Sequence, residues 1–243
     1  MNELIYGYHP VREALRAGKR HIHKIFIRET KKTPRIADIR SLAEAARVPV
    51  HHLTQKHMDA KLGDSGNQGI GALSSPYQCV SLDDLLKTSL QQNPLILLLD
   101  QVVDPQNLGA LIRTAYCAGL NGVVITKDRS AGPSPLVSKA SAGALEHISL
   151  TRVTNMVTTI NRLKKEGIWV AGLEGSEGQH IFVTDLTGPL ALVVGGEERG
   201  IRKLVKKKCD LLLAIPQAGN FDSLNASVAG GVVMYEAFRQ RNL

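Results

Sequence analysis

The pattern of apolar and polar positions changes once along the chain, between residues 80 and 93. Before this stretch, runs in which apolar and polar residues alternate are separated by segments whose apolar residues have helical spacing. This pattern indicates a small α/β unit over residues 1–79. From residue 94 onward, apolar strands alternate regularly with helices. The first of these strands, PLILLLDQV, is apolar almost throughout, which is typical of a strand buried on both faces of a parallel sheet. We therefore predict an α/β fold with domains 1–79 and 94–243, a linker over 80–93, and an open parallel sheet in the second domain.

Three predicted strand ends in the second domain carry unusual residues, DQVVDPQNLG, GGEERG and IPQAGNFDSLN. Open parallel sheets bind ligands beyond the carboxyl ends of their strands, so these segments are the candidate site. None contains GxGxxG or GxxxxGK[ST], which argues against a Rossmann dinucleotide site and against a P-loop. In the first segment we expect Asn107 to cap a helix from Leu108, and Arg113 to reach back toward Asn107. The plainer interpretation is a capping asparagine and a solvated arginine.

The second segment contains adjacent glycines at the end of a predicted strand. Gly195 and Gly196 permit the close approach of a ligand or of another part of the chain. Glu197 and Glu198 follow, before a helix predicted over 199–207, where carboxylates complement the helix dipole. Glu197 and Glu198 are therefore either catalytic or binding residues, or residues that only stabilise the start of this helix.

The third segment leads into a C-terminal helix that we expect Ser223 to cap. Gly230 and Gly231 lie within that helix, where each glycine costs roughly 0.8–1.0 kcal/mol relative to alanine. We expect close packing against another segment or another subunit to compensate this cost. A weak, frayed helix is the alternative.

Charge and composition narrow the class of protein. The formal net charge is +8, and residues 1–61 hold 13 Lys and Arg against 6 Asp and Glu. Clustered positive charge is equally consistent with a nucleic-acid partner and with a surface that only keeps the protein soluble.

Three cysteines lack CxxC spacing and the histidines lack partners at ligand spacing, so no metal site is predicted. The sequence has no apolar run long enough to span a bilayer, and its N-terminus lacks the basic-then-apolar pattern of a signal peptide. We therefore expect a cytoplasmic protein with no membrane partner.

Taken together, the three segments resemble the three motifs of the SpoU (TrmH) family of RNA 2′-O-ribose methyltransferases, members of the SPOUT superfamily. DPQNLGALIRTA is similar to the first motif, VVGGEERGI to the second and IPQAGNFDSLNASVAGG to the third. The intermediate stretch SKASAGALEH is also similar to the family. LIYGYHPVREAL and NQGIGAL resemble the accessory substrate-binding domain that a subset of the family carries.

This resemblance implies a fold and a cofactor. The C-terminal domain would be a parallel-sheet α/β knot, in which the last segment is threaded into a deep trefoil knot. S-adenosyl-L-methionine would bind there through backbone groups, with contacts from Gly195, Gly196, Ile215 and Leu224. The N-terminal domain would be a small α/β, L30e-like substrate-binding domain. The family resemblance also implies a homodimer formed through the C-terminal helix.

The resemblance assigns roles to individual residues. Arg113 would be catalytic, with Asn107 and Glu198 orienting it and the ribose, and Asn225 bonding at the reacting centre. Basic residues of the first domain would bind RNA phosphates: Arg12, Arg16, Lys24, Arg28, Lys31 and Lys32.

The implied reaction is methylation of the ribose 2′-OH of a guanosine in 23S rRNA, in the peptidyl-transferase centre. One alternative is the same chemistry on a tRNA or on another rRNA guanosine. A different class of protein, a non-catalytic RNA-binding ribosome-assembly factor that keeps the fold, is the second alternative.

Overall fold

The computed structural model describes residues 2–29, 33–63, 66–175, 178–219 and 224–242. In chain order the strands and helices are β1 (Glu3–Tyr6), α1 (Tyr8–Ala17), β2 (Ile22–Arg28), α2 (Pro34–Ala45), β3 (Val50–Leu53), α3 (Gln55–Leu62), β4 (Ile70–Ser74), α4 (Leu82–Ser89), β5 (Leu95–Asp100), α5 (Pro105–Cys117), β6 (Gly122–Thr126), α6 (Pro135–Ala140), β7 (Leu150–Val153), α7 (Met156–Lys165), β8 (Trp169–Leu173), β9 (Gln179–His180), β10 (Leu190–Gly195), α8 (Lys203–Lys206), β11 (Leu211–Ala214) and α9 (Ala226–Asn242). None of these described helices has the length and apolar content needed to cross a bilayer.

The chain forms two compact units, and the first is built from two separate segments. Met1–Gln78 and Pro133–His147 make the first unit, whereas Cys79–Gly132 and Ile148–Leu243 make the second. Residues 80–93, interpreted above as a linker, contain α4, whose Leu85 and Leu86 are buried in the core of the second unit. The domain boundaries given by the sequence pattern stay a prediction.

The first unit contains a mixed four-stranded sheet in the order β1-β4-β2-β3, in which only β2 and β3 are parallel. Side chains of β2 alternate between its two faces. Ile25 and Ile27 are buried among residues of α1 and α2. Phe26 packs on the opposite face with residues of α3. Lys24 and Arg28 share the Phe26 face, because alternate residues of a strand point to the same side.

The second unit contains a seven-stranded sheet in the order β7-β6-β5-β10-β8-β11-β9, and every recorded strand pair is parallel. This confirms the predicted parallel α/β architecture. All six residues of β5 are buried, as expected for a central strand covered on both faces. Helices α4, α7 and α8 contribute to the core on one face. Helix α9 packs against α5 and β10.

Several helix boundaries differ from the predictions. Helix α5 begins at Pro105, capped by the Asp104 side chain, so Asn107 lies inside the helix and is not its cap. Proline at the first helical position is preorganised for this start. Helix α6 ends at Ala140, because Ala142 and Gly143 both have positive φ.

The two remaining boundary differences concern the second and third segments. The helix predicted over 199–207 is reduced to the four residues of α8, since the preceding residues form a closed loop. Helix α9 starts at Ala226, where the Asn225 side chain accepts from the N–H of Ser227 at 2.9 Å. The predicted cap, Ser223, lies outside the described residues. The predicted threading of the chain also concerns residues 220–223, so the knot stays a prediction.

Close packing within the chain explains one of the two helical glycines. A side chain at Gly230 would overlap Leu111 of α5 and would approach Val194 of β10. The absence of a side chain therefore allows α9 to lie against α5, and this contact compensates the poor helix propensity of glycine. Gly231 has no comparable constraint, since a Cβ added there would lie 3.8 Å from Thr114, an ordinary van der Waals contact.

Segment 133–147 is fastened to α1 and β1 by buried charge and by one close backbone approach. Arg20 Nε donates to Glu146 at 2.7 Å, and both side chains are 1% exposed. The same guanidinium donates to Glu3 at 2.7 Å, and Glu146 accepts from Ser138 at 2.9 Å. Gly143, at φ 82, faces α1, where an added Cβ would lie 2.7 Å from Cβ of Glu13. The first unit therefore depends on a segment that begins more than fifty residues after Gln78 in the sequence.

We predict that Glu146→Gln lowers the free energy of unfolding by about 3 kcal/mol, because the substitution leaves a buried guanidinium without its main counter-charge. Urea denaturation followed by far-UV circular dichroism measures this change. The matched control is Glu166→Gln, which removes the exposed pair with Arg162 and should cost only about 0.5 kcal/mol. Equal, small effects of the two substitutions would show that the buried pair does not stabilise the unit.

Candidate active site

The carboxyl ends of three neighbouring strands of the second unit surround a cavity of ≈ 590 Å³. Strands β8, β10 and β11 end beside it, and β10 is paired along its length with β5. Because these strands are parallel, the loops that follow them meet at one edge of the sheet. The lining residues used below are Glu174, Gly195, Gly196, Glu197, Glu198, Arg199, Lys203, Lys206, Ile215, Leu224 and Asn225.

Gly195 and Gly196 are required by the close approach of backbone to backbone. A Cβ on Gly195 would overlap the backbone of Gly200, and one on Gly196 would overlap the carbonyl oxygen of Gln101. The loop closes on itself through the Gly200 N–H, which donates to the Gly196 carbonyl at 3.0 Å. These two glycines therefore bring the loop after β10 against the end of β5 and leave bare backbone along the cavity.

An ion pair holds the far end of the same loop. Asp100, the last residue of β5, is fully buried, and its carboxylate accepts from the Arg202 backbone N–H at 2.9 Å. The Arg202 guanidinium also donates to Asp100, through Nε at 2.9 Å and Nη2 at 2.7 Å. A buried carboxylate is stable only when it is paired and hydrogen-bonded, as it is here. The loop over residues 196–202 is thus fixed at both ends to one strand.

A polar network joins the three sequence motifs. Asn107 Nδ2 donates to Glu197 Oε1 at 2.7 Å, and Asn107 Oδ1 accepts from Asn225 Nδ2 at 3.2 Å. Asn225 uses its own Oδ1 to cap α9, accepting from both the N–H and the hydroxyl of Ser227. Both polar ends of the Asn107 amide are occupied, so its orientation is fixed by its neighbours.

This network lowers the pKa of the Glu197 carboxyl group. Partial burial acts in the opposite direction, but the hydrogen bond from Asn107 and the backbone N–H groups of residues 103 and 104 stabilise the charged form more strongly. Glu197 therefore stays ionised and serves as an acceptor rather than as a proton donor.

The structure places most, but not all, of the predicted site residues at the cavity. Gly195, Gly196, Ile215 and Leu224, expected to contact the cofactor, all line it. Of the four residues expected to be catalytic, Glu198 and Asn225 line it, and Asn107 is buried beside it and bonded to two lining residues. These roles stay predictions.

Arg113 differs from its expected placement. Its side chain is exposed on α5, outside the cavity lining, and it has no hydrogen bond or ion pair to any residue in the described part of the chain. Arg113 does not make the expected contact with Asn107, because the side chain of Asn107 is bound to Glu197 and Asn225. The guanidinium remains available to a ligand that approaches from solvent.

Two residues of the site received no specific role from the family resemblance. Glu197, and not its neighbour Glu198, binds Asn107, and a sequence pattern cannot decide between adjacent glutamates. Asp100 carried a visible signal, since a carboxylate that ends an otherwise apolar strand needs a buried partner. Its partner Arg202 is 102 positions away, so no local pattern connects the two residues.

The predicted RNA-binding residues of the first unit do not form one surface. Arg12 is paired with Glu13 and Asp38, and Arg16 lies near Glu13, on the face covered by α1. Lys24 and Arg28 belong to the opposite face, where Arg28 donates to Gln55. Lys31 and Lys32 lie outside the described residues. In the described ranges, no group of three His, Cys, Asp or Glu side chains could hold a metal ion.

Comparison with known proteins assigns the chain to a family. The model of the SpoU rRNA methylase family matches residues 94–235, and that of RNA 2′-O ribose methyltransferase substrate binding matches residues 4–80. The chain is 42% identical over 244 residues to the 23S rRNA (guanosine-2′-O-)-methyltransferase RlmB of Pseudomonas putida, covering 99% of this chain and 98% of that protein. It is 41% identical over 241 residues to a TrmH family tRNA/rRNA methyltransferase of Staphylococcus saprophyticus, covering 98% and 96%.

A solved structure shows the same fold over the whole chain. The SpoU methyltransferase AviRb from Streptomyces viridochromogenes, crystallised in complex with the cofactor AdoMet, matches with a TM-score of 0.84 and 23% identity, covering 99% of this chain and 90% of that one. The fold and the cavity define the class of α/β proteins that offer a ligand site beyond the carboxyl ends of parallel strands. The chain belongs to the SpoU rRNA methylase family, and its activity is RNA 2′-O-ribose methylation.

Proposed function

We propose that the protein methylates the ribose 2′-OH of a guanosine in 23S rRNA, in the peptidyl-transferase centre, with S-adenosyl-L-methionine as the methyl donor. The observation that carries the proposal is the cavity at the strand ends, where the second and third motifs meet around bare backbone and the first motif is bonded to them. The similarity to RlmB along the full chain supports guanosine in 23S rRNA as the substrate.

The cavity suits S-adenosylmethionine in size and in chemistry. Its volume of ≈ 590 Å³ lies within the range of about 300–1,000 Å³ that is usual for small-molecule sites. Gly195 and Gly196 expose backbone groups, and Ile215 and Leu224 provide apolar walls for a base. Glu197, which stays ionised, suits a positively charged ligand. When bound, S-adenosylmethionine supplies a methyl group activated by a sulfonium.

The contribution of the chain to the reaction is orientation and electrostatic stabilisation. A ribose hydroxyl is a weak nucleophile, and holding it in line with the donor can supply about 7–11 kcal/mol of the barrier. A guanidinium is a hydrogen-bond donor without an acceptor site, so Arg113 suits charge stabilisation rather than proton abstraction. We assign it to the phosphate adjoining the acceptor and to the negative charge that develops on the 2′-oxygen. Asn107 and Asn225 hold the motifs together, and the exposed carboxylate of Glu198 orients the ribose.

Two alternatives keep the same fold. The Staphylococcus saprophyticus relative, of the TrmH family of tRNA/rRNA methyltransferases, supports a tRNA or another rRNA guanosine as the acceptor. A non-catalytic ribosome-assembly factor would also bind RNA. The connected network of Asn107, Glu197 and Asn225 argues against this second alternative, because a protein that only binds RNA has no need to hold three motifs at one cavity.

The direct experiment is a map of ribose methylations in rRNA and tRNA from cells with and without the protein. We expect the loss of one 2′-O-methylguanosine from the peptidyl-transferase centre of 23S rRNA. The loss of a tRNA modification instead would support the first alternative. An unchanged map, together with no calorimetric binding of S-adenosylmethionine, would support the assembly factor.

We predict that Arg113→Lys lowers kcat at least a hundredfold and leaves the affinity for S-adenosylmethionine unchanged. Lysine keeps the charge but loses the planar fork that binds a phosphate with two parallel hydrogen bonds. Single-turnover methyl transfer and calorimetry measure the two quantities. Arg162→Lys, at an exposed arginine of α7, is the matched control and should retain full turnover. Near-normal turnover of Arg113→Lys would exclude the proposed role.

We also propose that the protein forms a homodimer through α9. Val228, Gly231, Tyr235 and Phe238 recur at a helical spacing and form one stripe of that helix. Val228, Tyr235 and Phe238 are 51%, 49% and 38% exposed, and the rings of Tyr235 and Phe238 lie 5.9 Å apart. A contiguous exposed apolar stripe with a small residue at its centre is typical of a helix that packs against another helix.

We predict that Tyr235→Glu converts the dimer into a monomer, because it places a charge in the centre of the apolar stripe. Light scattering coupled to size exclusion gives the mass directly. Trp169→Glu introduces the same charge at an apolar position on β8 that is 60% exposed, and this control should keep the dimer mass. A monomeric wild type, or a dimeric Tyr235→Glu variant, would contradict the assignment.

A further inference from the structure

The stretch of chain over residues 199–208 holds six cations, and the first four of them divide into two classes. Arg202 is bound to Asp100, and Lys206 is bound to Glu174 at 3.2 Å. Arg199 and Lys203 also line the cavity and are exposed. Within the described ranges, neither of these two side chains has a hydrogen bond or an ion pair. Two uncompensated cations therefore remain at the cavity.

We propose that Arg199 and Lys203 form an anion-binding subsite of the cavity, which takes the phosphodiester on the 3′ side of the acceptor ribose, in addition to the phosphate assigned to Arg113. The inference rests on the proposed function and deepens it. The subsite recognises an anionic oxygen group, and the carboxylate of the methyl donor is the second source of such a group. The exposure of both cations favours the phosphodiester, because the RNA approaches from solvent.

The loop presents Arg199 from a fixed backbone. Gly196 and Gly200 are hydrogen-bonded to each other on either side of it, and the Arg202 N–H is bound to Asp100 at 2.9 Å. A segment that is ordered before binding loses little further conformational entropy when a ligand arrives, which favours affinity. A solvated lysine or arginine on an unconstrained surface has no such advantage.

Charge complementarity also separates these cations from the methyl donor. A sulfonium is positively charged, so Arg199 and Lys203 repel it, whereas Glu197 and Glu198 of the same loop attract it. In RNA the 2′-oxygen and the 3′-phosphate are attached to neighbouring ribose carbons. When the 2′-OH is directed into the cavity, the 3′-phosphate stays within a few bonds of it and can meet the two exposed cations of the lining.

The test compares Arg199→Gln and Lys203→Gln with Lys207→Gln. Lys207 carries the same charge on the same stretch of chain but does not line the cavity, so its variant is the matched control. Fluorescence anisotropy measures binding of a 23S rRNA fragment that contains the target guanosine, with S-adenosylhomocysteine present, over a range of salt. Calorimetry measures S-adenosylmethionine binding without RNA.

We expect each cavity variant to weaken RNA binding about tenfold and to reduce the slope of log affinity against log salt by roughly 0.7, the value for one phosphate contact on a single strand. The affinity for S-adenosylmethionine should not change, and Lys207→Gln should stay within about twofold of the wild type. If RNA binding is unchanged but S-adenosylmethionine binds more weakly, the subsite binds the carboxylate of the methyl donor. That result would overturn the assignment to an RNA phosphodiester. If neither binding constant changes, no anion subsite exists.

The wild-type protein separates this inference from the proposed function. If the wild type methylates the 23S rRNA fragment while the cavity variants match the control, only the subsite is wrong. If the wild type binds neither S-adenosylmethionine nor the fragment, the proposed function is wrong and the subsite falls with it.

Discussion

The Asp100–Arg202 ion pair is the constraint on which the active-site architecture depends. It joins the end of a fully buried strand to the end of the loop that follows β10, and it does so through both backbone and side-chain donors. Because Asp100 is fully buried, its carboxylate must keep these partners or lose most of its favourable interactions. The loop is consequently held where Glu197 meets Asn107, and the cavity exists because that loop is closed.

The same logic of buried charge organises the first unit. Arg20 and Glu146 join Met1–Gln78 to a segment that the family model assigns to the methylase region, residues 94–235. The chain therefore passes between the two units three times, at residues 78, 132 and 147. A deletion of residues 1–79 would leave Glu146 and the Gly143 turn without the surfaces that cover them. RNA binding and methyl transfer are encoded in different units that are not separable by cutting the chain once.

Much of the fold could be predicted from local pattern, because a strand such as Leu95–Asp100 is apolar along its whole length and the helices carry regular apolar spacing. The four residues that the family resemblance assigns to the cofactor, Gly195, Gly196, Ile215 and Leu224, all line one cavity, and their contact with a cofactor stays a prediction. Pairings between distant residues could not: Glu197 and Glu198 are equivalent in sequence, and only the position of Asn107 distinguishes them. The start of α5 was missed for a related reason, since Asp104-Pro105 is a turn signal and also a good helix start.

We propose that the loop fixed by Asp100 forms a pocket for the methyl donor from main-chain atoms. A crystal structure of the protein with S-adenosylhomocysteine tests this most directly. We predict that the ligand lies in the cavity at the strand ends, bound by backbone groups of residues 195–196 and packed against Ile215 and Leu224. A ligand bound elsewhere on the protein, with this cavity filled only by solvent, would contradict the account.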